Sequence, residues 1–381
     1  MVQWMGMRGT IAMFAVGCLS VDIVDPGGLG DPGERGPVET RDGQAVGRWS
    51  TLGEGTDSNA WDAGIDGAGN LYISGAFEFA GGQVVNRVAR WDGSAWNGVG
   101  AGFDDDVPAL AVRSDGHVFA AVNPTTRQVF EWDGSAWSDL AGGPPDNNGF
   151  EDMTLADNGD LLVAGTYRLN PHARVLSWDG ASWSDLGPPE DRCCIPAYAV
   201  DVAPDGTIYA GYTGETTLEG RVLRFDGSAW EELAQANGLV SALAFDDRGG
   251  MYAGGGFTRI GNVAASGVAY WNGSSWSAVG TGVTSDPNDV YALAYDSARG
   301  RLYAGGQFEA VGGVPAYGFA YWDGSDWSAP NRGPFGAVWA LVLDDAGNVY
   351  VAGNYVNLRS ADDSLPDILA NNVARWDPEA P

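Results

Sequence analysis

LYAGGQFEAVGGVPAYGFAYWDGSDW, residues 302–327, is the stretch that decides the fold. An apolar run ends in Gly-Gly, a loop follows, and an aromatic run leads through Asp-Gly to Trp327. Just upstream, VYALAY (290–295) alternates Leu293 and Tyr295 with Ala292 and Ala294. Four short strands are predicted: A over 290–295, B over 301–308, C over 318–323, and D from Trp327. Alternation of large and small side chains gives such a unit two faces on which neighbouring units can pack. Asp-Gly between two aromatic strands predicts a tight hairpin in which both residues take positive φ.

The same unit recurs along the chain. The motif reads WDGSAW at Trp91 and Trp132, WDGASW at Trp178, FDGSAW at Phe225, WNGSSW at Trp271 and WDGSDW at Trp322. Successive spacings of 41, 46, 47, 46 and 51 residues indicate the blades of a β-propeller. Outer-strand tryptophans fall at Trp49, Trp96, Trp137, Trp183, Trp230, Trp276 and Trp327, which predicts seven blades of four strands. A lone D strand (47–53) opens the domain and a lone C strand (371–377) ends it. Together they complete one blade and leave no unpaired seam. The fold class is all-β, a seven-bladed propeller over 45–381. Trp and Asp of the repeated motif are read first as strand staples and turn formers.

With these residues in view, LYAGGQF…AYWDGSDW (302–327) resembles a divergent kelch repeat. Phe77–Trp96, Phe257–Trp276 and Phe308–Trp327 are similar to repeats of uncharacterised exported bacterial proteins and of fungal cortical-marker (Rax2-like) propellers. The resemblance implies the fold and little about function, because propellers carry many unrelated activities.

The amino terminus reads as a targeting segment. Arg8 precedes the apolar run Thr10–Gly17, too short to span a bilayer, and Ala15-Val16-Gly17-Cys18 resembles a bacterial lipobox. Cys18 is the candidate lipidation site. Residues 19–44, rich in Gly, Pro and acid, read as a disordered linker. The expected location is the outer membrane or cell surface as a lipoprotein, or otherwise the periplasm or exterior. Net charge is −30 and every one of the 20 basic residues is Arg, so nucleic acid is not an expected partner. The protein is expected to be a monomer that meets the membrane only through the lipid.

Catalytic motifs are not found. The two histidines, His117 and His172, sit in different blades, no P-loop or HExxH occurs, and no cofactor is expected. Acidic loops at 103–108, 286–290 and 359–367 leave calcium as a weak candidate. Adjacent Cys193 and Cys194 can form a vicinal disulfide in an oxidising compartment; free thiols are the alternative, and two thiols alone make a poor zinc site. Aligning the start of strand A in each blade gives Trp61, Pro108, Glu151, Tyr198, Ser241, Tyr291 and Trp339. Trp61, Tyr198, Tyr291 and Trp339 are the candidate ligand-binding residues, a ring of aromatics at the channel mouth. Interblade packing is the competing reading, since they share parity with Ile65, Tyr295 and Leu343. The favoured function is a binding scaffold that recognises a protein or glycan through its loop-rich face. A carboxylate-based hydrolase or lyase and a purely structural envelope protein are the alternatives.

Overall fold

In blades 1 to 6 the D strand begins on a tryptophan opposite the last aromatic of its C strand, and this pair organises the blade. Trp91 faces Trp96 in register, with ring centroids 5.4 Å apart. The same pairing recurs at Trp132–Trp137, Trp178–Trp183, Phe225–Trp230, Trp271–Trp276 and Trp322–Trp327, all with centroids 5.1–5.7 Å apart. The D-strand indole also reaches into the preceding blade. Nε1 of Trp96, Trp137, Trp230 and Trp327 donates to the backbone oxygens of Leu52, Val99, Leu186 and Val279 respectively. One residue type therefore closes the hairpin and stitches blade to blade.

The computed structural model describes residues 39–41, 44–123, 128–140, 147–167, 173–187, 197–213, 219–285, 289–360 and 366–379. Seven antiparallel sheets follow one another, and among the described residues there is no helix. Blade 1 comprises Ala60–Ile65, Leu71–Gly75, Val88–Trp91 and Trp96–Gly98. Strand A of each blade packs against strand A of the next, and that of blade 7 against that of blade 1, so the ring is closed. Blade 7 joins both ends of the domain, as expected. Val373–Asp377 lies between Val349–Ser360 and Gln44–Thr51, with Trp49 opposite Trp376. Both indoles are fully buried. Glu39–Arg41, inside the stretch read as linker, pairs with Gln44–Thr51 as a further strand. Cys18, His172, Cys193 and Cys194 lie outside the described residues.

The motif turn differs from the tight hairpin expected. With Trp91 directly opposite Trp96, four residues make the loop, and only Gly93 has positive φ (94°). Asp92 instead accepts the amides of Ser94 and Ala95 on Oδ1, an Asx closure repeated at Asp133, Asp179, Asp226 and Asp323. The Ser135 hydroxyl, together with those amides, holds the Asp133 carboxyl down at about 2, and the Ser94 hydroxyl with its amides holds the Asp92 carboxyl well below its ordinary range. The repeated aspartates are committed to turns.

Loops joining D to A and B to C emerge on one face, here the upper face. In blades 1, 5 and 6 the B–C connection folds into a small hairpin of its own, for example Phe79–Ala80 with Gln83–Val84. One polar side chain from the D–A loop pins each hairpin. Asp57 accepts the amides of Glu78 and Phe79, Asn237 those of Thr258 and Arg259, and Ser285 those of Glu309 and Ala310. In blade 7 strands A and B are prolonged instead, over Arg332–Leu343 and Val349–Ser360.

Candidate functional site

Strand A lines the channel, and its first residues carry a regular irregularity. In six blades the A–B register slips by one residue, leaving Trp61, Glu151, Tyr198, Ser241, Tyr291 or Trp339 as the extra residue of a β-bulge. In blade 2 the equivalent Pro108 immediately precedes Ala109–Val112. The ring of positions aligned from the sequence is therefore a ring of bulges, and a bulge redirects the side chain it inserts. The four aromatics do not form one exposed platform. Trp61 and Tyr198 are only 7% and 8% exposed, and burial, with the Glu151 carboxylate beside it, pushes the Tyr198 hydroxyl upward. Tyr291 and Trp339 are half-buried and line a cavity in the channel. Glu151, the one acid of the ring, is itself buried.

The cavity measures about 190 Å3. On one side it meets Asp62, Asp152, Thr154 and Asp201 from blades 1, 3 and 4; on the other, Ser241, Tyr291 and Trp339 stand beside the Ala-Leu steps of blades 5, 6 and 7. The asymmetry has a simple origin in the repeat. One residue past each bulge position the chain reads Asp62, Ala109, Asp152, Ala199, Ala242, Ala292, Ala340; three past it, Gly64, Ala111, Thr154, Asp201, Ala244, Ala294, Val342. Three aspartates stand where the other blades keep small side chains. No residue motif marks them, but a column of small residues interrupted by acid does, and that signal was legible in the sequence.

What the aspartates do follows from the free edge of strand A. In an antiparallel pair, amides alternate between pointing at the partner and pointing away. Asp66, Arg113, Ala156, Ala203, Asp246 and Asp344 donate across the A–B turn, so the amides three residues earlier point away from the sheet, into the channel. These are Ala63, Leu110, Met153, Val200, Leu243 and Leu341; Leu293 is the register equivalent in blade 6. Asp62 accepts Ala63 N–H on Oδ1 (2.8 Å) and Leu110 N–H on Oδ2 (2.9 Å), bridging blades 1 and 2. Asp152 accepts Met153 N–H (3.0 Å) and Val200 N–H (2.9 Å) in the same way, bridging blades 3 and 4. Two carboxylates thus cap four of seven inward amides.

Asp201 stands apart from these two bridges. It accepts only the amide of Val202 among the hydrogen bonds to its carboxylate from the backbone, and burial, aided by the Asp152 charge, pushes it up to about 7. A carboxyl raised in the folded state binds more protons there than in the unfolded chain across the interval between the two values. Its ionisation therefore weakens the fold as pH rises from about 4 to about 7. Asp201→Asn is expected to raise the unfolding free energy at pH 8 by on the order of 1 kcal/mol and to leave it unchanged at pH 4. Denaturant titrations at the two pH values check this.

Among the described residues no three His, Cys, Asp or Glu side chains gather as a metal site. His117 Nδ1 lies 2.8 Å from Glu131 Oε1; His117 immediately precedes strand B of blade 2 (Val118–Val122) and Glu131 lies in strand C (Gln128–Trp132).

No family model matches the chain, and no curated protein does. Solved structures do match. The chain is similar to YCF48 bound to a D1 peptide, at 11% identity and a TM-score of 0.56, with 89% of this chain and 99% of that one covered. The RRP9 WD40 repeats match at 11% identity and 0.57, covering 86% and 97%. XC5397 from Xanthomonas campestris, a gluconolactonase, matches at 13% identity and 0.50, covering 93% and 99%. At such identities the likeness carries the fold alone: the chain is a seven-bladed β-propeller.

Proposed function

We propose that this propeller is a binding scaffold whose upper face docks a protein partner across the seam between blades 7 and 1. One observation carries the reading. The large apolar side chains exposed among the described residues are Phe79, Val84, Phe335, Val356 and Leu369, and all five lie in the B–C segments or the prolonged A and B strands of those two blades. Beside two of them, Phe79 and Leu369, lies a hollow of about 460 Å3 whose wall also holds Glu54, Thr56, Asp57 and Asn371. Phe335 is braced edge-on by Tyr317 and carries the Arg359 guanidinium 4.8 Å from its ring centroid. Apolar residues gathered on one face with an acidic surround favour a partner segment that is apolar and basic. YCF48, of the same fold, binds a peptide, which makes a peptide-docking role a natural one for such a ring.

The reading extends to location and family. The Arg8 and Thr10–Gly17 pattern supports export, Cys18 supports a lipid anchor, and the repeats support membership among kelch-like exported proteins. Replacing Phe335 and Leu369 with Ser is expected to weaken cross-linking to the docked protein partner at least tenfold, with the melting midpoint unchanged. Partner capture that survives both substitutions would remove the docking face, and a glycan array on the same variants would reveal a sugar ligand instead. Intact mass of the mature amino terminus, with Cys18→Ala as control, tests the anchor: a product without acyl mass excludes it.

The carboxylate-enzyme reading has one observation in its favour, Asp201 pushed up to about 7 beside a second carboxylate in a cavity. Hydrolysis or elimination lost in Asp201→Asn, with a pH–rate limb near 7, is its signature.

A further inference from the structure

The cavity in the channel is polarised in a way the docking face does not use. Four of the seven inward amides are taken by Asp62 and Asp152. The other three, on Leu243, Leu293 and Leu341, belong to consecutive blades and stand on the cavity wall where the neighbouring residues are Ala242, Ala292 and Ala340. Alanine brings no acceptor, so this arc presents three backbone donors to one small space. Asp62, Asp152 and Asp201 line the rest of the wall, from blades 1, 3 and 4. Donors on one side and carboxylates on the other match a molecule that carries an anionic acceptor and a cationic donor on a short frame. Neither a simple anion nor a simple amine satisfies both walls: an anion meets three carboxylates, and an amine leaves the amide arc without an acceptor.

Size and shape narrow the class. At about 190 Å3 the cavity has room for a small solute of several heavy atoms. Tyr291 and Trp339 supply aromatic wall for a small apolar substituent or for the ammonium face. We propose that the channel cavity is a binding site for a small zwitterion of the α-amino-acid class, its carboxylate on the amides of Leu243, Leu293 and Leu341 and its ammonium toward Asp152 and Asp201. The site is separate from the docking face and stands or falls without it.

Protonation adds a signature. An ammonium favours ionised Asp201, so binding carries a proton out of the site and tightens as pH rises through about 7. The other titratable side chains on the wall are Asp62, Asp152 and Tyr291, the last pushed far up by burial beside Asp289.

Isothermal titration of the purified protein at pH 8 with the twenty standard L-amino acids, with ethylamine and with propionate, tests the proposal. At least one amino acid is expected to bind saturably, with the amine and the acid weaker by on the order of 100-fold, the loss of one charged anchor each. Affinity should fall several-fold from pH 8 to pH 6, and Asp201→Asn should flatten that dependence. Ala292→Leu, which fills the cavity from the amide side, should abolish binding in a protein that still melts cooperatively. No saturable heat from any of the twenty, or equal binding of ethylamine alone, overturns the assignment. Titration needs no protein partner, so its result is independent of the docking face.

Discussion

Deleting residues 371–381 is expected to lower the melting midpoint by at least about 10 °C and to broaden the transition, although only a few per cent of the chain is lost. The deleted strand Val373–Asp377 is the middle of blade 7, so its removal bares hydrogen-bonding edges on both Val349–Ser360 and Gln44–Thr51. It takes away Trp376, fully buried against Trp49. It also takes away Asn372, whose Nδ2 donates to Thr56 and Ser58 of the neighbouring segment and whose Oδ1 accepts Tyr355 N–H. Trp376→Ala alone should cost about 3–5 kcal/mol, the range for emptying a large aromatic from a core. Differential scanning calorimetry of both variants decides the matter. A truncated domain that melts like the intact one means that the ring does not depend on that strand.

Asp152→Ala and Asp62→Ala are expected to destabilise the propeller by about 1–3 kcal/mol each, opposite in sign to Asp201→Asn at pH 8. Each bridging aspartate is the acceptor for one amide of its own blade and one of the next. Removing it leaves two buried donors without their acceptor and unties two blades at the channel wall. The two bridges join different blade pairs, so the double variant should lose nearly the sum. Urea titrations of the single and double variants measure this. A neutral outcome for both would show that solvent in the channel replaces the carboxylates at no cost. The three acids of one cavity thus have distinct duties, and only Asp201 gains from being made neutral.

Blade count, strand order and ring closure were legible because they rest on strongly local signals: a repeated aromatic pair, an Asp-Gly turn and a fixed period. Three details were not. The turn was read as a two-residue hairpin, whereas Trp91 opposite Trp96 makes a four-residue loop in which the Asp92 side chain, not its φ, does the closing. Alignment of the strand-A starts picks out one ring of positions, but the sequence does not show that in six blades this residue is the inserted one of a bulge, which parity along the strand cannot reveal. Trp61 and Tyr198 are buried, while Tyr291 and Trp339, at the same bulge position, reach the cavity wall. Asp62, Asp152 and Asp201 escaped notice because an acidic chain offers many carboxylates. Only their placement in a column of small residues distinguishes them.

The shared blade also sets an order of events. Asn371 donates to the oxygen of Glu54, 317 residues away in sequence, and the pairing of Trp49 with Trp376 spans a similar stretch. Six blades can form from neighbours in sequence as the chain emerges, but the seventh has to wait for nearly the whole polypeptide. Contacts this distant are slow to find, because the loop they close is almost the entire domain. Until then Gln44–Thr51 and Val349–Ser360 are edge strands with unfilled partners, the surfaces on which two unfinished chains would pair with each other. An interrupted synthesis therefore leaves an open, self-adhesive arc, and completion of the last strand converts it into a closed ring.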